Sequence, residues 1–488
     1  MNNIFDKLKN YSDSDYYAFH MPGHKRNLDL MDGTSPYRID ITEIDGFDDL
    51  HHAEGILRDA QERAARVYHA DETHFLVNGS TVGILSAILG TTEKGDSILV
   101  ARNCHKSVYH AIYLNELDPV YLYPKFDTEQ GLSTEIDAAD VQKALEEHPK
   151  IRAVMIVSPT YDGVVSDIEK IAEIVHAKGC PLIVDEAHGA HFGFDPYFPK
   201  SANIYGADLV INSLHKTLPA LTQTALLHVN GNMVNRRKVK QYLDMLQTSS
   251  PSYILMASID ACIGMLEETL ETHSDARSDY KYKNIFSEYA NRIEALRKDL
   301  KRLKYLKIVQ TDNTDRYDRS KFVISVKHAP MSSHELYEIL LHRYHLQMEM
   351  LAGTYVLAMT TVGDTQEGLD RLRDALLEID KEIDTRQGRP AAIETDLPLS
   401  GRQPALEKVW TIAEAVNRRD KIQKRSFEDS IGCISVEYAY LYPPGSPLIV
   451  PGERITKEAV EILHWYQEHD FSIEGLQSED GIEVWIDG

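Results

Sequence analysis

The sequence predicts an α/β fold with a mostly parallel, seven-stranded sheet and helices on both of its faces. Short apolar runs alternate with helical patterns from residue 73 onward, which is the pattern of a chain that repeats strand and helix. The runs are apolar almost throughout, as is typical of parallel strands buried on both faces. The seventh run follows the sixth after too short a loop for a helical crossover, so it is predicted to be antiparallel.

The elements of this sheet are predicted in chain order. The strands are expected at 73–78, 97–101, 119–123, 153–157, 181–185, 207–212 and 224–229. Helices are expected between and after them, at 82–90, 105–115, 138–147, 235–246, 253–273 and 280–304. Together these segments account for a single large domain.

The rhythm of strands and helices changes near residue 305, which indicates smaller C-terminal α+β domains. The predicted division is an N-terminal arm at 1–50, a large domain at 51–304, a small α+β domain at 305–390 and a C-terminal domain at 391–488. The stretch at 384–400 is the best linker candidate. Prolines in 442–453 restrict that run to loops and edge strands.

The composition narrows the class of protein. The chain of 488 residues is 43% hydrophobic and 26% charged, as in globular proteins, and its net charge of −24 argues against binding to nucleic acid or to an anionic membrane surface. The four cysteines are scattered without metal-ligand spacing, so neither a disulfide framework nor a metal site is predicted. With no apolar run of membrane-spanning length, a cytoplasmic protein is expected.

A carboxylate and a lysine stand at the ends of two neighbouring predicted strands. Asp185 ends the run at 181–185, and Lys216 follows the run at 207–212, about one βαβ unit later. Ligands bind at the carboxyl ends of strands in open α/β sheets. Pyridoxal phosphate needs an amine for a Schiff base and an anion beside its pyridine nitrogen, and this pair supplies both. Taken alone, such a pair is more often a buried Asp and a surface Lys with no shared function.

Seven motifs are spread along nearly the whole chain: MPGHK at 21–25, NGST at 78–81, NCHKS at 103–107, SPTYDG at 158–163, DEAHGAHFGF at 185–194, SLHKTLPALTQTALLH at 213–228 and YPPGSPLIVPGE at 442–453. In these motifs and in their order, the chain resembles the bacterial ornithine/lysine/arginine decarboxylase family, in its short, arginine decarboxylase-like form. The resemblance implies the aspartate aminotransferase-like fold of pyridoxal phosphate enzymes (fold type I).

The resemblance and the local patterns together assign a cofactor site. Gly79, Ser80 and Thr81 join a strand to a helix, where backbone amides and hydroxyls make a phosphate cradle, although an ordinary helix cap has the same pattern. Ser213 and His215 are also expected to bind the phosphate, as are Thr248 and Ser249 from a neighbouring subunit. His105 is expected to stack on the cofactor ring rather than only cap a helix, and Ala187 to lie beneath the ring. Lys216, Asp185 and His188 are the expected catalytic residues.

The resemblance implies decarboxylation of a basic amino acid. Arginine to agmatine is the first expectation, followed by lysine to cadaverine and ornithine to putrescine, with polyamine synthesis or acid tolerance as the purpose. A cationic side chain needs an acidic partner. The candidates named from the sequence are Glu437, Glu453 and Asp162 for the charge, and Tyr442 and Tyr161 for the aliphatic stem.

Two other readings of the sequence stay open. One is a different enzyme of the same fold, such as an aminotransferase or a lyase, because a fold does not fix a reaction. The other is a silent homologue, which the presence of both Asp185 and Lys216 opposes. Longer family members carry an extra N-terminal domain that builds large rings. For this chain a homodimer or a dimer-based tetramer is expected, with active sites at the subunit interface.

Overall fold

The fold is described from a computed structural model. It describes residues 13–25, 27, 36, 39–271, 281–309, 314–385, 403–418, 420–442 and 445–486. Most of the predicted linker at 384–400 therefore lies outside the described residues. Within them, no helix combines the length and the apolar character needed to cross a membrane.

The N-terminal arm contributes one strand and reaches two other parts of the chain. Strand β1 (Tyr17–Phe19) pairs in parallel with a strand of the small domain, where Tyr17 lies opposite Leu346. Further along the arm, the Gly23 amide donates to the carbonyl of His215 at 2.6 Å, next to Lys216. A 3-10 turn (Leu50–His52) and helix α1 (Ile56–Val67) then lead into the large domain.

The large domain contains the predicted seven-stranded sheet. The seven strands are β2 (Glu72–Leu76), β3 (Ser97–Ala101), β4 (Asp118–Leu122), β7 (Ile151–Val157), β8 (Leu182–Asp185), β9 (Leu209–Ser213) and β10 (Ala225–Val229). Strands β5 (Phe126–Asp127) and β6 (Leu132–Ser133) form a separate small hairpin. The sheet order is β2-β10-β9-β8-β7-β3-β4. Strand β10 is antiparallel to both neighbours and the other pairs are parallel, so the prediction for the seventh strand is confirmed.

Helices cover both faces of this sheet. The helices of the large domain are α2 (Gly79–Thr91), α3 (Lys106–Leu114), α4 (Ala138–Glu147), α5 (Ile168–Ala177), the single turn α6 (Leu214–Thr217), α7 (Arg236–Leu246), α8 (Tyr253–Glu271) and α9 (Ile285–Leu300). Successive strand residues point to opposite faces. Accordingly Phe75 and Val77 pack into one buried cluster, whereas Leu76 packs into the other. Helix α5 was not placed by the sequence analysis.

The small domain is a four-stranded antiparallel sheet with helices against it. Its elements are β11 (Lys307–Ile308), β12 (Lys321–Ser325), α10 (Ser333–His342), β13 (Leu346–Met348), β14 (Met350–Ala352), β15 (Tyr355–Met359) and α11 (Gln366–Thr385). The sheet order is β11-β12-β15-β14. Lys321, the first residue of β12, is completely buried.

The C-terminal domain contains two small three-stranded sheets. Its elements are α12 (Ile412–Asn417), β16 (Ile422–Arg425), β17 (Ile434–Ser435), β18 (Ala439–Tyr442), β19 (Ser446–Ile449), α13 (Lys457–Glu468), β20 (Ser472–Glu474) and β21 (Ile482–Trp485). Strand β19, which contains Pro447, lies at the edge of its sheet, as predicted for a proline-bearing run.

Candidate active site

A cavity of about 480 Å³ opens at the carboxyl edge of the central sheet. Ten of the residues predicted to bind the cofactor or to act in catalysis line it: Gly79, Ser80, Thr81, His105, Asp185, Ala187, His188, Ser213, His215 and Lys216. They come from four separate strand ends and loops, so the fold brings together residues that are distant along the chain. We refer to this space as the active-site cavity.

Asp185 and Lys216 carry the charges at the floor of the cavity. Asp185 ends β8, is 3% exposed and accepts a hydrogen bond of 3.1 Å from the Ala187 amide. Burial raises the pKa of Asp185, and the nearby Lys216 opposes that rise. Burial lowers the pKa of Lys216, with Asp185 and Glu349 opposing the change. A lysine with a lowered pKa is a better nucleophile, because more of it is the free amine.

His188 contacts Lys216 directly. Its Nε2 lies 3.1 Å from the Lys216 Nζ, and its ring lies 4.4 Å from the ring of Tyr161, centroid to centroid. Burial, followed by the charges of Lys216 and Lys321, holds the pKa of His188 well below its ordinary value. The imidazole is therefore neutral at physiological pH, with one nitrogen that donates and one that accepts.

The turn between β2 and α2 has the geometry of an anion site. Gly79 has φ +74, a left-handed conformation that favours glycine, and α2 begins at this residue. The Ser80 hydroxyl hydrogen-bonds to the Ser213 hydroxyl, which joins the two predicted halves of the cradle. Nδ1 of His215 donates to the Thr224 carbonyl at 3.0 Å, which fixes the ring at the cavity wall. Helix N-termini with free amides and hydroxyls suit a phosphate.

His105 both caps a helix and lines the cavity. Its Nδ1 accepts from the amide and the hydroxyl of Ser107, at 3.3 and 2.8 Å, at the start of α3. Burial, with Lys216 as the next cause, lowers the pKa of His105 to about 4, so the ring is neutral. The two alternatives in the sequence analysis are thus compatible, because the cap fixes the ring plane at the cavity.

Several predicted residues are not brought to the cavity. Thr248 and Ser249 are exposed, although the Thr248 amide donates to Oδ1 of Asn78, which does line the cavity. Glu437 is buried and accepts from the amides of Gln477 and Glu483, at 2.9 and 2.7 Å. Its carboxylate is occupied by backbone donors of the C-terminal domain.

Glu453 also lies away from the cavity. Glu453 is completely buried and accepts from Arg102 at 2.9 Å, so its charge is already paired within the chain. Tyr442 belongs to β18, but its side chain lies outside the described residues. The structure therefore gives Glu453 no contact with the cavity.

Asp162 is the candidate partner of the substrate's cationic side chain that lines the cavity. It is 6% exposed, and the Tyr355 hydroxyl donates to its Oδ1 at 2.6 Å. Burial raises the pKa of Asp162 to about 6, with Tyr355 and then Lys321 opposing the rise. Polar side chains that the sequence analysis did not name also line this part of the cavity: Thr354, Tyr355, Gln403 and Tyr466.

The donor set fits pyridoxal phosphate. The buried carboxylate of Asp185, the buried amine of Lys216, neutral histidines and an anion cradle line a single cavity. Buried polar atoms on its wall also lack a partner among the described residues, including Oδ1 of Asn103, Oγ1 of Thr354 and Oε1 of Gln403. Buried polar groups normally have partners, so a polar ligand in this cavity would satisfy them.

Fold and cavity together define a pyridoxal phosphate-dependent enzyme of the aminotransferase-like class. The chain belongs to the Orn/Lys/Arg decarboxylase family: residues 2–344 match the major domain of that family and residues 402–484 match its C-terminal domain. It is therefore a pyridoxal phosphate-dependent carboxy-lyase, and the resemblance seen in the sequence is confirmed. Membership of this family argues against the two alternative readings of the sequence, an aminotransferase and a silent homologue.

Individual relatives agree with this family. The chain is 36% identical to the uncharacterized protein YaaO of Bacillus subtilis, across 94% of this chain and 93% of that protein. It is 31% identical to the arginine decarboxylase of Bacillus anthracis, across 97% and 94% of the two chains. The structure of the lysine decarboxylase of Francisella novicida superposes with a TM-score of 0.78 at 18% identity, covering 98% of this chain and 80% of that one, which supports the fold.

Proposed function

We propose that this enzyme decarboxylates a basic amino acid, with arginine, converted to agmatine, as the first substrate. The observation that carries the proposal is the buried carboxylate of Asp162, held by Tyr355 on the wall of the same cavity that contains Lys216. The full-length relatives named arginine decarboxylase support arginine over lysine and ornithine.

The proposed catalytic roles are supported by the residues that line the cavity. Lys216 would supply the amine that holds the cofactor and that the amino group of the substrate would replace. Asp185 would keep the pyridine nitrogen of the cofactor protonated, and pyridoxal phosphate, when bound, would supply the electron sink for decarboxylation. His188 holds a proton at Nε2 beside the reacting carbon. Ala187 and His105, which line the cavity, would hold the cofactor ring.

The remaining roles concern binding. Gly79, Ser80, Thr81, Ser213 and His215 bind the phosphate, and Thr248 and Ser249 complete that site from a second subunit. Asp162 pairs with the cationic end of the substrate, since a charged hydrogen bond in a desolvated pocket is strong and directional. Tyr161 packs against the aliphatic stem.

The proposal includes a homodimer or dimer-based tetramer in the cytoplasm. The described cysteines, Cys104, Cys180, Cys262 and Cys433, are all free thiols, which supports a reducing compartment. Size-exclusion chromatography with light scattering tests the assembly, and cell fractionation tests the location.

The substrate is tested by supplying the loaded enzyme with arginine, lysine and ornithine separately and measuring carbon dioxide and the amine. We expect agmatine from arginine at the highest kcat/KM, without any requirement for an oxo acid. Cadaverine or putrescine as the main product would correct the substrate and keep the reaction. No carbon dioxide from any of the three would overturn the proposal.

A further inference from the structure

His188 lies between two lysine side chains rather than beside one. Nε2 of the ring is 3.1 Å from the Lys216 Nζ, and Nδ1 is 3.2 Å from the Lys321 Nζ. Lys216 belongs to the large domain, whereas Lys321 begins β12 in the small domain. The second lysine is therefore supplied from a different sheet, and the roles proposed above do not use it.

The position of Lys321 is fixed along its whole length. Its amide donates to the Asp318 carbonyl at 3.1 Å, and its own carbonyl accepts from Arg297 at 2.6 Å. Gly163 faces the stem: a Cβ there would lie 2.9 Å from the Lys321 Cγ, and the φ of +101 also favours glycine. The residue is completely buried, so its ammonium group has a defined direction toward His188.

Only one nitrogen of a neutral imidazole accepts a hydrogen bond, so the two lysines cannot both donate to His188. Lys216 is the residue assigned to the covalent link with the cofactor, and in that state it is no longer a free ammonium. Lys321 keeps its ammonium and has donors to offer. Its contact with Nδ1 makes that nitrogen the acceptor, which leaves the proton of His188 on Nε2.

We propose that Lys321 is a positioning residue that keeps the proton of His188 on Nε2 and replaces it through Nδ1 when that proton is used. The inference rests on the proposed function, because it takes its starting point from the roles of Lys216 and His188. The proposal keeps the same substrate for the site and identifies the source of the proton that the reaction uses.

The number of protons used in the reaction explains the role of the Lys321 ammonium. After the bond between the α-carbon and the carboxylate breaks, the same carbon takes up one proton. If neutral His188 gave its Nε2 proton alone, it would become an anion in a buried site, at a high energetic cost. Transfer of a proton from the Lys321 ammonium to Nδ1 at the same time keeps the ring neutral. Return of the Nδ1 proton to Lys321, together with uptake of one solvent proton at Nε2, then restores both groups.

The charges around Lys321 set the pH range in which it is a donor. Burial lowers the pKa of Lys321 to about 8. The groups that face it are Asp318, Glu349, Asp162, Lys216, Lys25 and His188, of which the carboxylates favour the ammonium and the other lysines oppose it. The ammonium form therefore predominates at neutral pH and is lost as the pH rises through about 8.

The direct test is a long-range ¹H–¹⁵N NMR spectrum of the holoenzyme labelled with ¹⁵N-histidine, with His188→Gln used to assign the resonances. We expect a protonated Nε2 and an unprotonated Nδ1 in the wild type. In Lys321→Met the proton is expected to move to Nδ1 or to divide between the two nitrogens. Lys25→Met removes another buried lysine, whose Nζ donates to the His20 and Met359 carbonyls, and should leave the tautomer unchanged.

Kinetics give a second readout. Lys321→Met should lower kcat by about 10²-fold with little change in KM, because a positioned general acid contributes roughly 10²–10⁴-fold. In the wild type kcat should decline above about pH 8, and this decline should be absent in Lys321→Met. Lys321→Arg, which keeps the charge, should recover part of the rate.

The outcomes separate this inference from the proposed function. A wild-type His188 with its proton on Nδ1, or a tautomer that Lys321→Met does not change, overturns the role of Lys321. If Lys321→Met does not fold, the wild-type tautomer, followed from pH 6 to 10, decides alone: it should change near pH 8. Full activity in His188→Gln would instead remove the catalytic role proposed for His188.

Discussion

Arg102 and Glu453 form a completely buried ion pair, with Nη2 of Arg102 donating to the carboxylate at 2.9 Å. Arg102 follows β3 in the large domain, whereas Glu453 lies in the C-terminal domain. Arg102 also donates to the Leu448 carbonyl at 3.1 Å, and the Tyr121 ring lies 4.9 Å from its guanidinium carbon. The pair therefore joins the C-terminal domain, which contributes Leu441, Gly445 and Ser446 to the cavity wall, to the central sheet.

Removal of one member of this pair should destabilise the protein without changing the choice of substrate. Glu453→Gln or Arg102→Met leaves a buried charge unpaired, which typically costs about 3–5 kcal/mol. The double variant Arg102→Met/Glu453→Met should cost much less than the sum of the two single changes. Thermal and urea unfolding measure the stabilities. A single variant with wild-type stability and a raised KM for arginine would favour the sequence-based hypothesis that Glu453 binds the substrate.

Asp162 should control recognition of the cationic side chain. Asp162→Asn removes a charged hydrogen bond, which is worth about 1.5–3 kcal/mol, so kcat/KM for arginine should fall by roughly 10–100-fold. Citrulline, which has the shape of arginine without the charge, is the matched control, and its weak binding should change little. Equal losses for both compounds would indicate that Asp162 has a structural role only.

The same carboxyl group predicts a dependence on pH. The pKa of Asp162 is raised to about 6, so the group is neutral below that pH and ionised above it. Since the substrate cation pairs with the ionised form, kcat/KM for arginine should rise with pH through about 6. In Asp162→Asn this acid limb should be absent. An unchanged limb in the variant would assign it to another group.

Asp185 and Glu186 are adjacent buried carboxyl groups with different surroundings. Glu186 accepts from the Ser201 hydroxyl, the Ala202 amide and Asn212, which encloses it in the protein. Asp185 lines the cavity. Asp185→Asn should lower kcat by about 10²–10³-fold, as expected when a preorganised electrostatic group is lost. Glu186→Gln, the matched control, should alter stability rather than kcat, and the reverse result would contradict the assignment of Asp185.

The central sheet could be predicted because its signals are local. The run at 97–101 and the helix at 138–147 match β3 and α4 residue for residue. Helix α5 was missed although Asp167 caps it and its apolar residues have helical spacing, so the signal was present. The pairing of β1 with β13 could not be predicted, because contacts between distant segments leave no local pattern.

The site was predictable where a residue stands at the end of a strand within a family motif. Lys321 had no such signal, since a lysine at the start of the run KFVISVK is normally exposed, and only the packing of the small domain against His188 buries it. Glu453 gave the opposite result: a carboxylate in a family motif suggested a substrate contact, but Arg102, far away in the sequence, pairs with it.

The central claim is that Lys216 is the lysine that binds the cofactor, although Lys25 and Lys321 are also buried nearby. Reduction of the loaded enzyme with borohydride, followed by digestion and mass spectrometry, locates the attached lysine. We predict a pyridoxyl group on Lys216 alone, and none in Lys216→Ala. A pyridoxyl group on Lys321 or Lys25 in the wild-type enzyme would contradict the proposed active site.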